Sequence, residues 1–280
     1  MGRQENIDIF KDTKQFCNEN VKLKEAIKRS NARQQFYPET KENEKILRKI
    51  YEKPAQVIVS KKRTLEAAAS YLNQKICILN FASASNPGGG VTKGSSAQEE
   101  AICRCSTLYE NLVEKAMWEK FYAPHRRQRN PLHNDDCIYT PDVIVFKSDT
   151  AYPRLLLEES WYAVNVLTCA APNLRKRPSN GMNPGEGNQE VKISQIELKQ
   201  LHEKRMRKVL DIALENGNEV VVLGAFGCGA FSNPPEVVAE AMRTVVQEYR
   251  YQFKTIEFAV YCSSRNDVNY RVFQTVLERV

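Results

Sequence analysis

No apolar run in this sequence approaches the roughly 20 residues that a membrane helix requires, and the opening MGRQENIDIFKDTK lacks the apolar stretch of a secretory signal. A cytoplasmic protein with no membrane partner is therefore expected. Cysteine occurs eight times, at 17, 77, 103, 105, 137, 169, 228 and 262, without disulfide density or the C-x-x-C spacing of a zinc site. The residues read as free thiols; Cys103 and Cys105 are the closest pair, and alternate positions on a helix face apart. Histidine is scarce. His125, His133 and His202 stand isolated in the sequence and are expected at the surface, so neither a metal nor a cofactor is implied. Internal repeats, low-complexity tracts, a P-loop and a G-x-G-x-x-G fingerprint are all missing, which excludes the common nucleotide motifs. The basic residues, giving a net charge of +7, cluster at Lys22 to Arg33, Lys61 to Arg63, His125 to Arg129 and Arg175 to Arg177. None of these runs is interleaved with aromatics as a base-stacking surface would be, so direct nucleic-acid binding is not expected. The charge suits an acidic partner or a polyanionic substrate, and the basic insertion 118–136 is one place to attract it. A monomer is expected.

What the chain does contain is an alternation of short apolar strands and amphipathic helices. Residues 5 to 35 carry a loose helical period that Tyr37-Pro38-Glu39-Thr40 breaks, and a charged segment with Ile46, Leu47 and Ile50 runs on to Lys53-Pro54. Strands are expected at Val57 to Val59, Ile76 to Phe81, Cys137 to Phe146, Trp161 to Ala170, Glu219 to Leu223 and Ile256 to Tyr261. Helices are expected at Thr64 to Leu72, Ala97 to Val113, Val191 to Asn216, Pro234 to Tyr249 and Val268 to Val280. This order predicts an α/β fold with a mixed, mostly parallel sheet covered by helices on both faces. The segment Pro178 to Asn188, PSNGMNPGEGN, reads as a mobile surface connection or a lid.

Two segments carry chemistry. Gly88 to Glu100, GGGVTKGSSAQEE, follows a buried strand and opens a helix. Asn86-Pro87 already supplies the turn, so the extra glycines favour backbone laid against a ligand, with exposed N–H groups and a helix start suited to an anion. Read alone, Gln98-Glu99-Glu100 is an acidic helix start capped by Ser95 or Ser96; directly after GGG, the pair reads as functional. The second segment, Gly224 to Asn233 (GAFGCGAFSN), alternates glycines with Phe226 and Phe231. At that spacing these rings cannot be core residues of a regular element, and they stack on a ring or wall a sugar; a tight turn with both packed inward is the competing reading. Both loops are expected on one rim, at the carboxyl ends of the strands, where together they would clamp a diphosphate.

The compound GGG-x7-QEE motif, preceded by ILNFASASNP and followed by GAFGCGAFSN and LTCAAPN at 167–173, resembles the signature of poly(ADP-ribose) glycohydrolases of the bacterial type. The resemblance implies a macrodomain-like α/β/α sandwich over residues 55–280, with an N-terminal helical extension over 1–54. It implies hydrolysis of ribose-ribose O-glycosidic bonds, exo-acting, with poly(ADP-ribose) or ADP-ribosylated macromolecules as partners and ADP-ribose as product. By motif position, Glu100 would protonate the leaving oxygen and then activate water, with its pKa pushed up by burial and the diphosphate, while Glu99 holds ribose hydroxyls. Phe231 would press on the terminal ribose, and Gly227, Cys228, Gly229 and Ala230 would supply N–H donors. Asn80 and Asn86 are further polar candidates, and Tyr261 would stack on adenine or pack in the core. Gly88, Gly89, Gly90, Val91, Gln98, Gly224 and Phe226 complete the expected substrate wall. Cleavage of mono-ADP-ribose from protein or nucleic acid, and binding of ADP-ribose without cleavage, are the alternatives.

Overall fold

A computed structural model describes residues 2–39, 48–181, 183–262 and 266–278. The elements in chain order are α1 (Arg3–Glu19), α2 (Val21–Arg33), β1 (Gln35–Tyr37), β2 (Gln56–Ser60), α3 (Thr64–Ala68), β3 (Ile76–Phe81), α4 (Gln98–Cys105), α5 (Leu108–Leu112), α6 (Lys115–Met117) and α7 (Ala123–Gln128). They continue with β4 (Cys137–Val145), β5 (Tyr162–Cys169), α8 (Gln195–Glu215), β6 (Val220–Leu223), α9 (Pro235–Glu248), β7 (Thr255–Ala259) and α10 (Val268–Leu277). The charged segment holding Ile46 and Leu47, and the last two residues of the expected final helix, lie outside the described residues.

The seven strands form one sheet in the order β1-β4-β5-β3-β6-β7-β2. The pairings β5/β3, β3/β6, β6/β7 and β7/β2 are parallel, and β1/β4 and β4/β5 antiparallel, so the sheet is mixed and mostly parallel. Successive side chains of a strand point to opposite faces. In β3, Cys77 and Leu79 join the apolar layer built with α8, α9 and α10, while Ile76 and Ile78 join the layer under α3, α4 and α5. Strand β6 divides in the same way, Val221 and Leu223 to one face and Val220 and Val222 to the other. Because β3, β5, β6 and β7 run parallel, their carboxyl ends and the loops that leave them share one rim.

Three local expectations are corrected. The helix expected over Ala97 to Val113 is two, because Ser106 is extended (φ −146°, ψ 177°) and bridges to Val145 of β4 while its hydroxyl donates to the Ile102 carbonyl at 2.8 Å. Thr64 to Leu72 is a five-residue α-helix followed by a 3₁₀ turn over Ala69–Tyr71. The histidines are buried: His125, His133 and His202 are 5%, 8% and 0% exposed, each hydrogen-bonded inside the fold. The N-terminal segment is woven into the sheet's surroundings, since β1 pairs with β4 and Phe10 of α1 packs edge-on against Tyr109, ring centroids 4.8 Å apart.

Candidate functional site

At the carboxyl end of β3 the chain turns from core to site within three residues. Asn80 shares the sheet face of Ile76 and Ile78, and its amide donates to Glu99 Oε1 at 3.3 Å and to Thr168 Oγ1 at 3.2 Å. Gln98, at the start of α4, behaves like a short strand: its Oε1 accepts the Phe81 N–H at 2.8 Å and its Nε2 donates to the Leu79 carbonyl at 2.7 Å. This splice fixes α4 against β3, and the two residues that follow Gln98 diverge as adjacent helical positions must. Glu99 turns toward the strand end, where its Oε2 accepts the Ser83 N–H at 2.8 Å. Glu100 turns toward the glycine loop, where its Oε1 accepts the Gly90 N–H at 2.8 Å. Its Oε2 is buried and, among the described residues, has no hydrogen-bond partner.

The triple glycine shapes this carboxylate pair. Gly89 has φ +59°, and a Cβ there would stand 2.5 Å from Glu100 Oε1 and 2.9 Å from Glu99 Oε2, so both backbone conformation and space exclude a side chain. The N–H groups expected to hold an anion are already spent, Gly89 on the Asn86 carbonyl, Gly90 on Glu100 and Val91 on the Gly88 carbonyl. Glu99 and Glu100 are 3% and 6% exposed. Burial pushes the Glu99 carboxyl well above its ordinary value and the Glu100 charge adds to it, against the opposing pull of the Ser83 N–H and the Asn80 amide.

The second loop supplies what the first does not. The N–H groups of Gly229, Ala230 and Phe231 make no hydrogen bond among the described residues, and these three residues line the same cavity as the carboxylates. Successive free N–H groups of this kind form a concavity for an anion. A Cβ at Gly229 would meet nothing within 4 Å, so its lack of a side chain leaves room for a ligand. Gly227, at φ +79°, has no room for one: a Cβ would approach the Asn233 amide to 2.6 Å. The Cys228 N–H is committed to the Ala225 carbonyl and is no donor.

The cavity holds about 850 Å³, within the usual range for a small-molecule site. It brings together Gly89, Gly90, Gln98, Glu99, Glu100, Gly227, Gly229, Ala230, Phe231 and Tyr261. Asn80, Asn86, Gly88, Val91, Gly224, Phe226 and Cys228 do not line it. Phe226 is a core residue after all, fully buried with its ring centroid 5.5 Å from that of Phe81, and Val91 is likewise in the core. Asn86 is bound to the 178–188 segment through Asn183 Oδ1 at 2.5 Å and the Pro184 carbonyl at 2.9 Å. Tyr261 is 54% exposed, with the Arg63 guanidinium 4.0 Å from its ring centre, a cation over an aromatic face.

Sequence reasoning missed several walls of the cavity, among them Arg3, Arg63, Ser83, Asp149, Arg175 and Asn183. Arg63 and Ser83 follow strands whose carboxyl ends lie on the rim, a signal that topology would have supplied; Arg3 comes from α1, and no local signal marks it. Among the described residues no group of three His, Cys, Asp or Glu side chains is placed to hold a metal ion.

No curated protein matches the chain. Among solved structures, poly(ADP-ribose) glycohydrolase from Thermomonospora curvata bound to the inhibitor ADP-HPD is 29% identical, with a TM-score of 0.78, over 97% of this chain and 99% of that one. Poly(ADP-ribose) glycohydrolase from Deinococcus radiodurans in complex with ADP-ribose is 30% identical, with a TM-score of 0.69, over 92% of this chain and 91% of that one. The family described as microbial-type PARG, catalytic domain, matches residues 3–148, a span that contains α1, the glycine loop and both carboxylates, and the chain belongs to that family.

Proposed function

We propose that this protein is a poly(ADP-ribose) glycohydrolase that hydrolyses the ribose-ribose O-glycosidic bond and releases ADP-ribose from the chain end. The observation that carries this reading is the asymmetry of the carboxylate pair beside an anion cradle. Glu99 has both oxygens tied to the end of β3, which suits a group that orients sugar hydroxyls. Glu100 has one oxygen fixed by Gly90 and one left for substrate. With the diphosphate on the N–H groups of Gly229, Ala230 and Phe231, the attached ribose reaches the pair. Glu100 then gives a proton to the leaving ribose oxygen as the bond to the anomeric carbon breaks. Its carboxylate next takes a proton from water as that water's oxygen bonds to the same carbon, which restores the acid and yields two hydroxyl products. Phe231 walls the terminal ribose, and Tyr261 offers the adenine a face. Eight unpaired thiols support a reducing, cytoplasmic setting.

The test pairs wild type with Glu100→Gln on poly(ADP-ribose) and on mono-ADP-ribosylated protein. Wild type is expected to release ADP-ribose from the polymer, and the variant to lose about 10³-fold in kcat while still binding ADP-ribose, the usual scale for removing a general acid-base group. Binding of the polymer without release by wild type would leave only a reader of ADP-ribose, and release from the mono-modified protein alone would move the substrate.

A further inference from the structure

The N-terminal helix reaches the cavity with a charge. Arg3, the first residue of α1, lines it, and its Nε donates to the Lys93 carbonyl at 2.7 Å. The contact is close to the reacting pair in hydrogen-bonded steps: the Lys93 N–H donates to the Gly90 carbonyl at 2.9 Å, and the Gly90 N–H holds Glu100. The position of α1 is set beside it. The Asn6 side chain, 2% exposed, donates to the Gly94 carbonyl at 3.1 Å, and Gly94 is pressed so tightly on the helix start that a Cβ would lie 2.3 Å from the Arg3 carbonyl. Arg3 itself is exposed and, among the described residues, has neither a carboxylate partner nor an acceptor for either Nη. Next to it, Lys93 Nζ donates to the Gly181 carbonyl at 2.6 Å and likewise pairs with no carboxylate there. Arg3 thus brings to the cavity wall a cation without a carboxylate partner among the described residues, joined to Glu100 through Lys93 and Gly90, with the Lys93 ammonium as its neighbour in the same turn.

We propose that Arg3, supported by Lys93, is a phosphate subsite for the polymer unit that remains on the leaving side of the bond Glu100 cleaves. The inference rests on the glycohydrolase reading and extends it. The leaving oxygen belongs to a ribose that carries its own diphosphate, so a polymer brings a second dianionic group to the mouth that free ADP-ribose does not. A planar guanidinium tethered through Nε offers its Nη edge to phosphate oxygens. The helix therefore contributes substrate recognition specific to polymer.

Arg3→Gln and Arg3→Lys variants of the full chain test this, measured for kcat/KM on poly(ADP-ribose), for affinity toward ADP-ribose, for salt dependence and for melting temperature. Arg3→Gln is expected to lower kcat/KM on polymer about tenfold through KM and to flatten its dependence on salt. Affinity for ADP-ribose and the melting temperature are expected to stay at wild-type values, and Arg3→Lys to recover part of the loss. Equal polymer kinetics in Arg3→Gln and wild type would overturn the subsite while leaving the glycohydrolase reading intact. A parallel loss of polymer turnover and ADP-ribose affinity would also overturn it, making Arg3 a wall of the product site. Failure of wild type to release ADP-ribose from polymer at all would remove the reading on which it rests.

Discussion

Glu99 is costly to the fold in the form the solvent favours. Its carboxyl lies well above its ordinary value because it is buried and faces the Glu100 charge. A group whose folded pKa exceeds its unfolded value contributes stability that is complete below the unfolded value and is lost as pH rises through the folded one. Replacing the carboxyl with an amide removes that loss. The amide also fits: Gln Oε1 can accept the Ser83 N–H, and its Nε2 can donate to Asn80 Oδ1, which has no partner among the described residues, once the Asn80 amide turns over. Glu99→Gln is therefore expected to melt above wild type at pH 8, with the gain shrinking toward pH 4, and to lose catalysis. Melting curves at the two pH values check it; a gain independent of pH would show that desolvation of this carboxyl is not the cause.

Among the elements, residues 183–188 are held more firmly than their composition suggests. Glu186 is 2% exposed, its Oε2 is 2.5 Å from His133 Nε2, and its Oε1 accepts the Ser85 hydroxyl at 2.7 Å. Burial raises its pKa, but the charge and hydrogen bond of His133, helped by Ser85 and Asn173, more than offset this and hold it at about 2. A depressed carboxyl contributes stability above its unfolded value near 4.5 that is lost as pH falls toward 2. Glu186→Gln should thus cost on the order of 3 kcal/mol at pH 7, much less near pH 3, and should speed protease cleavage within 178–188. Unchanged cleavage would mean that the pair does not hold the segment. What the sequence disclosed follows the same line between local and remote causes. The apolar runs of β3, β5 and β6 are legible because each side chain is buried by the sheet's own period. The carboxylate pair is legible because glycines and acids stand ten residues apart. Phe226 and the histidines misled, since their burial depends on elements far along the chain: Phe81 covers Phe226, Glu186 takes His133, and Asn233 takes His202. The break at Ser106 depends on β4, and Arg3 on the packing of α1.

For the molecule as a whole, the question is whether α1 is an appendage or a part of the core on which the site depends. Lys147, whose side chain is 4% exposed, sends its ammonium to Asp12 Oδ2 at 2.5 Å, Thr13 Oγ1 at 2.8 Å and the Ile9 carbonyl at 3.3 Å, all on α1. The Thr13 hydroxyl in turn donates to the Arg104 carbonyl of α4 at 2.6 Å, and Phe10, 2% exposed, sits in the apolar layer with Val91 and Ile102. Removing α1 would take from the Lys147 ammonium the three acceptors it holds there and lay that side chain open to water. It would also empty the place where Phe10 packs, at a cost of roughly 3–5 kcal/mol. Native domains hold only about 5–15 kcal/mol, so the loss of Phe10 packing alone consumes a large part of the margin. We therefore propose that the N-terminal helices and the α/β/α sandwich fold as one unit. A chain beginning at Val21 is expected to melt at least 10 °C lower than the full chain or to fail to fold, and to lose turnover of polymer with it. Lys147→Met in the full chain separates the two contributions, because it removes the ammonium and its bonds to α1 while leaving Phe10 in place, and should melt close to wild type. Cooperative unfolding of the shortened chain at the wild-type temperature would show instead that α1 is docked onto a core complete without it.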